Sequence, residues 1–242
     1  MRLLNVHTLK LHTFYGDAIP PYAILSHTWL QDAQEVTFSQ LQADPVSWRN
    51  IEGSLKIDFL CQQAINDGYD YAWMDTCCID KTNNSELSEA INSMFQWYQK
   101  SRVCYAYMAD VEYGSEVDLM SSRWWSRAWT LQELLAPRDV KFYDTHWRLI
   151  GTKNDLSESI YSNTGINLET LRDPQCISES CVAQRMSWAA QRQATRTEDL
   201  AYSLLGIFGI NMPLQYGEGK GAFVRLQQEI LKTKNDQSLF AW

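Results

Sequence analysis

Glu133 stands four and eight residues beyond Trp129 and Trp125. On a helix those intervals set a carboxylate beside two indole rings, and an apolar neighbourhood of that kind raises a carboxyl pKa. A carboxylate so tuned suits catalysis; the plain alternative is a partly exposed glutamate preceding a Leu-Leu core pair. A second polar set gathers where apolar segments end: Ser26-His27-Thr28-Trp29 after residues 22–25, and Asp75-Thr76 after residues 71–74. If these segments are adjacent parallel strands, hydroxyl, imidazole and carboxylate share one crevice suited to a sugar or nucleotide. The competing reading makes Ser26 and Thr28 turn caps and Asp75 a loop cap.

Two further motifs carry less. Cys77-Cys78 with His27 invites a nucleophile or a metal site, but adjacent residues at a strand end point to opposite faces and cannot easily serve one ion. With four His and no CxxC pair, no metal is expected, and packed thiols are favoured over a Cys–His pair. The glycine-rich run Tyr216-Gly217-Glu218-Gly219-Lys220-Gly221 lacks the P-loop pattern, and Glu218 would repel a phosphate. A turn between helices is the expectation there.

The elements that must position these groups follow from periodicity. Short apolar segments at 22–25, 71–74, 103–108 and 140–143 alternate with helix-period segments, as βαβ units do. One helix carries Leu55, Phe59 and the 61–65 stretch and ends before Gly68. The next is capped by Asn83 with Glu86 three positions on, and bears a stripe of Leu87, Ile91, Met94 and Tyr98. The pattern from 121 to 135 reads as a third helix, closed by Pro137. Beyond about residue 150 the character turns helical, with Thr195 and Glu198 reading as a capping box, Gly206 weakening the helix after it, and a last helix over 222–232. The fold expected is α/β: a mostly parallel, flavodoxin-like sheet over residues 1–150, flanked by helices, with a helical extension over 151–242.

Composition narrows the partners. The 242 residues include 21 Lys plus Arg against 29 Asp plus Glu, a net charge of −8 that argues against nucleic-acid binding. With 45% apolar and 21% charged residues, a packed core is expected. No apolar run nears the ~20 residues of a membrane span, the start lacks a signal-peptide core, and six irregularly spaced Cys suit reduced thiols. A cytoplasmic protein is therefore expected. Apolar residues at the end of the chain point to a longer parent continuing past Trp242.

Long blocks then add a family resemblance. Tyr22-Ala23-Ile24-Leu25-Ser26-His27-Thr28-Trp29, Trp73-Met74-Asp75-Thr76-Cys77-Cys78-Ile79-Asp80-Lys81, and Arg127-Ala128-Trp129-Thr130-Leu131-Gln132-Glu133-Leu134-Leu135-Ala136-Pro137 resemble the signature blocks of the fungal heterokaryon-incompatibility (HET) domain. Glu198-Asp199-Leu200-Ala201-Tyr202-Ser203-Leu204 and Tyr216-Gly217-Glu218-Gly219 resemble its tail. The resemblance implies a death-inducing effector of fungal non-self recognition, often N-terminal in a NOD-like receptor and driven to self-associate by the receptor's C-terminal module. Such domains are regarded as distantly similar to TIR domains, many of which hydrolyse NAD+ with a glutamate in a Trp-Cys-x-x-Glu-Leu segment. Trp129-Thr130-Leu131-Gln132-Glu133-Leu134 is similar to that segment, with Thr130 where Cys usually stands. The resemblance thus implies Glu133 as the catalytic residue and NAD+ or a related nucleotide as substrate, with no bound cofactor. Ser26, His27 and Asp75 are then the substrate-binding strand-end groups, Trp29 or Trp129 a stacking platform, and Arg127 a pyrophosphate partner. A different class stands beside it: a non-enzymatic module that signals through self-association.

Overall fold

The computed structural model describes residues 1–30, 34–43, 47–112, 114, 119–233 and 236–241, apart from the side chain of Phe240. Of the apolar ending, Trp242 and the Phe240 side chain lie outside the described residues, while Leu239 is buried. In chain order come β1 (Arg2–Asn5), β2 (Leu11–Thr13), β3 (Ala23–His27), α1 (Phe38–Ala43), α2 (Ser54–Asn66), β4 (Tyr71–Trp73), α3 (Asp75–Cys78), α4 (Asn84–Lys100), β5 (Val103–Tyr107), α5 (Thr130–Leu135), β6 (Val140–Tyr143) and β7 (Leu149–Thr152). Helices follow: α6 (Ser157–Thr164), α7 (Leu168–Arg172), α8 (Val182–Ser187), α9 (Asp199–Tyr202), α10 (Leu205–Phe208) and α11 (Gly221–Thr233).

The sheet has the order β2-β1-β4-β3-β5-β6-β7. Its centre, β4-β3-β5-β6, is parallel, with Ile24 beside Trp73 and Cys104, and Cys104 beside Val140. These four are the strands expected from the apolar segments. They are buried along nearly their whole length, because a parallel sheet is covered on both faces. Renumbered in chain order, the parallel strands run 2-1-3-4, the order of a flavodoxin-like sheet, which opens a crevice at strand carboxyl ends. The structure adds antiparallel margins that periodicity did not reveal: β1 on β4, β2 on β1, and β7 on β6. These strands have only three or four residues each, too short for alternation to show.

Two expected helices keep their termini. Gly68 takes φ +82° just past α2. The Asn83 side chain accepts from the amides of Ser85 and Glu86 at the start of α4. Glu86 does not complete a capping box; its carboxylate pairs with Arg2 at 2.6 Å and accepts the Asp80 amide.

Two expected helices are corrected. Residues 121–135 do not form one helix: a 3-10 turn at Arg123–Ser126 gives way to an extended step in which Arg127 bridges Gln193, and only then does α5 begin. Trp125 is therefore not on a shared face with Glu133; it packs on Phe142 and Trp124. The Thr195–Glu198 capping box does not form either. Glu198 is the N-cap residue of α9 without a side-chain cap bond, and its carboxylate instead accepts the amides of Gly217 and Gly219. The glycine run is the expected turn, folded around an internal carboxylate.

Gly206 has a specific cause. A Cβ there would lie 2.0 Å from Phe95 Cβ on α4, so α10 approaches α4 at a distance only glycine permits. Gly206→Ala is expected to lower stability by ~1–3 kcal/mol, the usual cost of overpacking, measured by urea denaturation of the variant against the wild type.

Candidate active site

Glu133 is carried on α5 into a wall that leaves it 7% exposed. Ser26, at the carboxyl end of β3, donates its hydroxyl proton to Glu133 Oε2 at 2.5 Å and accepts from the Trp124 indole at 2.9 Å. A hydroxyl has one proton, so the indole fixes which way Ser26 points. Tyr98 of α4 adjoins the same carboxyl. Its hydroxyl donates to the Leu25 carbonyl at 2.8 Å. Burial pushes the Glu133 carboxyl up to about 8; the Ser26 hydrogen bond opposes the rise, the Asp75 charge adds to it, and Tyr98 and then Arg192 oppose it more weakly. At neutral pH the resting side chain is mostly the neutral acid.

The six-residue helix that holds Glu133 is braced at both ends. Buried Arg192 donates to Thr130 Oγ1 and to the Arg127 carbonyl, both at 2.9 Å. Buried Lys153 donates to the carbonyls of Leu134 and Pro137 at 3.2 and 2.6 Å, satisfying acceptors that a helix C-terminus leaves open. Neither cation was legible as a site residue, since each comes from a distant, unmarked part of the chain.

His27 follows Ser26 and points to the other face, where α2 lies. Lys56 Nζ donates to His27 Nδ1 at 2.9 Å, to the Thr28 carbonyl at 3.1 Å and to Glu35, all in a buried cluster. His27 Nε2 then carries the ring proton and donates to Asp75 Oδ1 at 3.0 Å. Burial lowers the His27 pKa and the Lys56 charge lowers it further, so the imidazole is neutral at pH 7. Asp75 resists the upward pull of its own burial: Lys81 and then His27 hold it below the usual carboxylate range. Its second oxygen accepts from the Trp29 indole at 2.9 Å and pairs with Lys81 at 3.3 Å, and Lys81 lies 3.6 Å over the Trp29 ring. Asp75 is thus a hub between two strand ends, rather than a loop cap.

A cleft of about 300 Å³ opens beside these groups. His27, Trp29, Asp75, Arg127, Trp129 and Glu133, six of the seven residues singled out from the sequence, line it. Ser26 does not; it is fully buried and reaches the cleft only through Glu133. Arg127 faces the cleft because its backbone is extended, where a helix would have turned it away. The apolar wall is Ile79 with Leu87, Ile91 and Met94, so the α4 stripe faces the cleft and core instead of forming a free docking face. The lining also includes Lys81, Arg196, Asp199 and Tyr216, which periodicity did not mark. With Glu133 neutral, the cations Lys81, Arg127 and Arg196 outnumber the acids Asp75 and Asp199, a balance that favours an anionic ligand.

The thiol alternative finds no support in this geometry. Cys77 is fully buried, hydrogen bonding to Cys78 and burial push its thiol well up, and both ring nitrogens of His27 are engaged elsewhere. Among the described residues, no three His, Cys, Asp or Glu side chains gather as a metal site. No helix of the described residues is long and apolar enough to cross a membrane.

Residues 22–119 match the family described as heterokaryon incompatibility protein (HET). The chain carries a HET domain. Over 224 residues it is 46% identical to the vegetative incompatibility protein HET-E-1 of Podospora anserina, a match spanning 88% of this chain and 16% of that protein. Residues 221–242 match a domain of unknown function (DUF8212), which begins with α11. No solved structure matches the chain. In this HET domain the strand-end residues Ser26, His27, Trp29 and Asp75 fall within the family match, whereas Glu133, Arg127 and Trp129 lie beyond it.

Two stability measurements check the electrostatics. Because the Glu133 pKa is higher folded (about 8) than its ordinary 4.5, the folded state holds an extra proton between those values, and wild-type stability falls as pH rises through that window. Glu133→Gln removes this dependence and is expected to stabilise the domain by ~1–3 kcal/mol at pH 9, with a smaller difference at pH 5, as read from denaturation midpoints. Lys56→Met leaves Glu35 buried without its cation and is expected to cost ~3–5 kcal/mol by the same measurement.

Proposed function

We propose that this HET domain is a cytoplasmic cell-death effector of fungal non-self recognition that hydrolyses the N-glycosidic bond of NAD+ when a C-terminal receptor module clusters it. The observation that carries the proposal is the burial of Glu133 at a cleft it shares with Asp75, His27, Trp29 and three cations. The similarity of Trp129-Thr130-Leu131-Gln132-Glu133-Leu134 to the TIR glutamate segment, and the flavodoxin-like strand order, agree with it. Residues 1–150 then act as a TIR-like core and 151–242 as an extension that completes the cleft.

The chemistry asks for one carboxylate. Nicotinamide leaves from a cationic pyridinium as a neutral molecule: the C1′–N bond breaks with its electron pair going to the ring nitrogen, so no general acid is needed. Water adds to C1′ and gives up a proton, yielding ADP-ribose, nicotinamide and H+. Entry of a cationic ring next to Glu133 favours its ionised form, which then stabilises the oxocarbenium-like state. Ser26, with its proton already aimed at Glu133 and its oxygen held by Trp124, favours that ionised form as well. In this reading Arg127 meets the pyrophosphate and Trp29 or Trp129 stacks on a ring, roles supported by their all lining the cleft.

The second reading, signalling by self-association alone, is favoured by the exposure of Val224 and Leu231, seven residues apart on α11. Nicotinamide release by the clustered domain separates the two. Glu133→Ala is expected to reduce release at least a hundredfold and to abolish toxicity in cells. Retained toxicity in Glu133→Ala, with loss in Val224→Asp plus Leu231→Asp, would decide for self-association alone.

A further inference from the structure

The far wall of the cleft is built by residues after 190, and it repeats the chemistry of the strand-end wall. Near the strands an aromatic ring (Trp29), a cation lying over it (Lys81, 3.6 Å) and a carboxylate (Asp75) form one group. On the far wall Tyr216 carries Arg196 at 4.5 Å over its ring, and its hydroxyl donates to Asp199 Oδ1 at 2.9 Å. Both groups line the same cleft as Glu133 and Arg127.

The far group is held by partners of its own. Glu198 Oε1 accepts the amides of Gly217 (2.7 Å) and Gly219 (2.9 Å), with both glycines at positive φ, which fastens the turn that bears Tyr216. The Gln193 carbonyl accepts the Ala128 amide at 2.8 Å, tying the segment before Arg196 to the stretch that leads into Trp129 and Glu133. Burial raises the Asp199 carboxyl, with Tyr216 as its leading hydrogen-bond partner and the Trp129 indole beside it. A half-buried carboxylate with acceptor capacity left suits the vicinal hydroxyls of a ribose, as acidic residues do in dinucleotide sites. A guanidinium next to it suits a phosphate, and an aromatic ring suits a base.

The structure assigns Arg196, Asp199 and Tyr216 to a second subsite, which holds the ring, ribose and phosphate of the non-reacting half of a dinucleotide. Two ring platforms, two ribose-accepting carboxylates and a cationic lining match a ligand with two nucleoside ends and an anionic middle. A mononucleotide would fill only one group. The assignment rests on the nucleotide-hydrolase proposal for its turnover test but not for its binding test.

The test compares NAD+ with nicotinamide mononucleotide, which keeps the scissile bond and lacks the far half. In the wild-type chain kcat/KM is expected to be at least tenfold higher for NAD+. Arg196→Ala and Asp199→Asn are each expected to cut that ratio about tenfold, through the KM for NAD+ rather than kcat. Arg196 is exposed, so its truncation leaves the core intact even if Asp199→Asn were to misfold. An unchanged ratio in the variants overturns the subsite. Calorimetric titration with ADP-ribose gives a second arm that needs no turnover: the wild type binds, and both variants bind at least tenfold more weakly. If neither nucleotide releases nicotinamide, the hydrolase proposal falls and ADP-ribose alone decides. Equal binding by wild type and variants, or no binding by the wild type, then overturns the subsite.

Discussion

A carboxyl group taken almost wholly out of water must either find a cation, collect hydrogen-bond donors or give up its charge, and Glu133 does mostly the last. Ionisation in a low-dielectric wall costs several kcal/mol, so the resting fold keeps the proton, while one oriented donor, Ser26, stands ready for the charged form. Satisfying this group brings four parts of the chain together. β3 supplies Ser26, the 3-10 turn supplies Trp124 to orient it, α4 supplies Tyr98, and α5 supplies the acid. The short α5 would fray alone and is braced by Arg192 and Lys153, drawn from the C-terminal part of the chain and from just past β7.

The other face of β3 faces a related problem and settles it with charge. Lys56 is buried, yet it keeps Glu35 as a partner and presents a proton to His27, whose own proton then faces Asp75. The chain of groups from Glu35 through Lys56 and His27 to Asp75 fixes the imidazole tautomer, and Lys81 first and His27 second keep Asp75 ionised at the edge of the cleft. One wall therefore carries a permanent anion and the other a suppressed one, and under the proposed nucleotide-hydrolase reading this division suits a cationic ring near Glu133 and an anionic linker near Arg127.

The parallel centre of the sheet was legible because its strands are buried on both faces and read as unbroken apolar runs ending in polar residues. Asn83 and Gly68 announced helix ends because their chemistry is local. The stretch from 121 to 135 misled because Trp124, Ala128, Leu131 and Leu135 keep a helical spacing, although a long-range bridge from Arg127 to Gln193 pulls the backbone straight. That same bridge corrected the orientation of Arg127. Lys56 left only the trace of a cation on the inward face of an apolar helix, and Arg196, Asp199 and Tyr216 left none in periodicity, since they meet the other residues only through tertiary packing. Glu133 was legible from its neighbours in sequence, yet for a partly wrong reason: Trp129 shares its cleft, whereas Trp125 packs elsewhere.

The protonation of Glu133 can be observed directly. Infrared difference spectra between wild type and Glu133→Gln isolate this one carboxyl. The account predicts a protonated-acid carbonyl band at pH 6.5 that disappears with a midpoint near 8 and is lost at neutral pH when NAD+ is added. A carboxylate band already complete at pH 6.5, unaffected by the nucleotide, would contradict it.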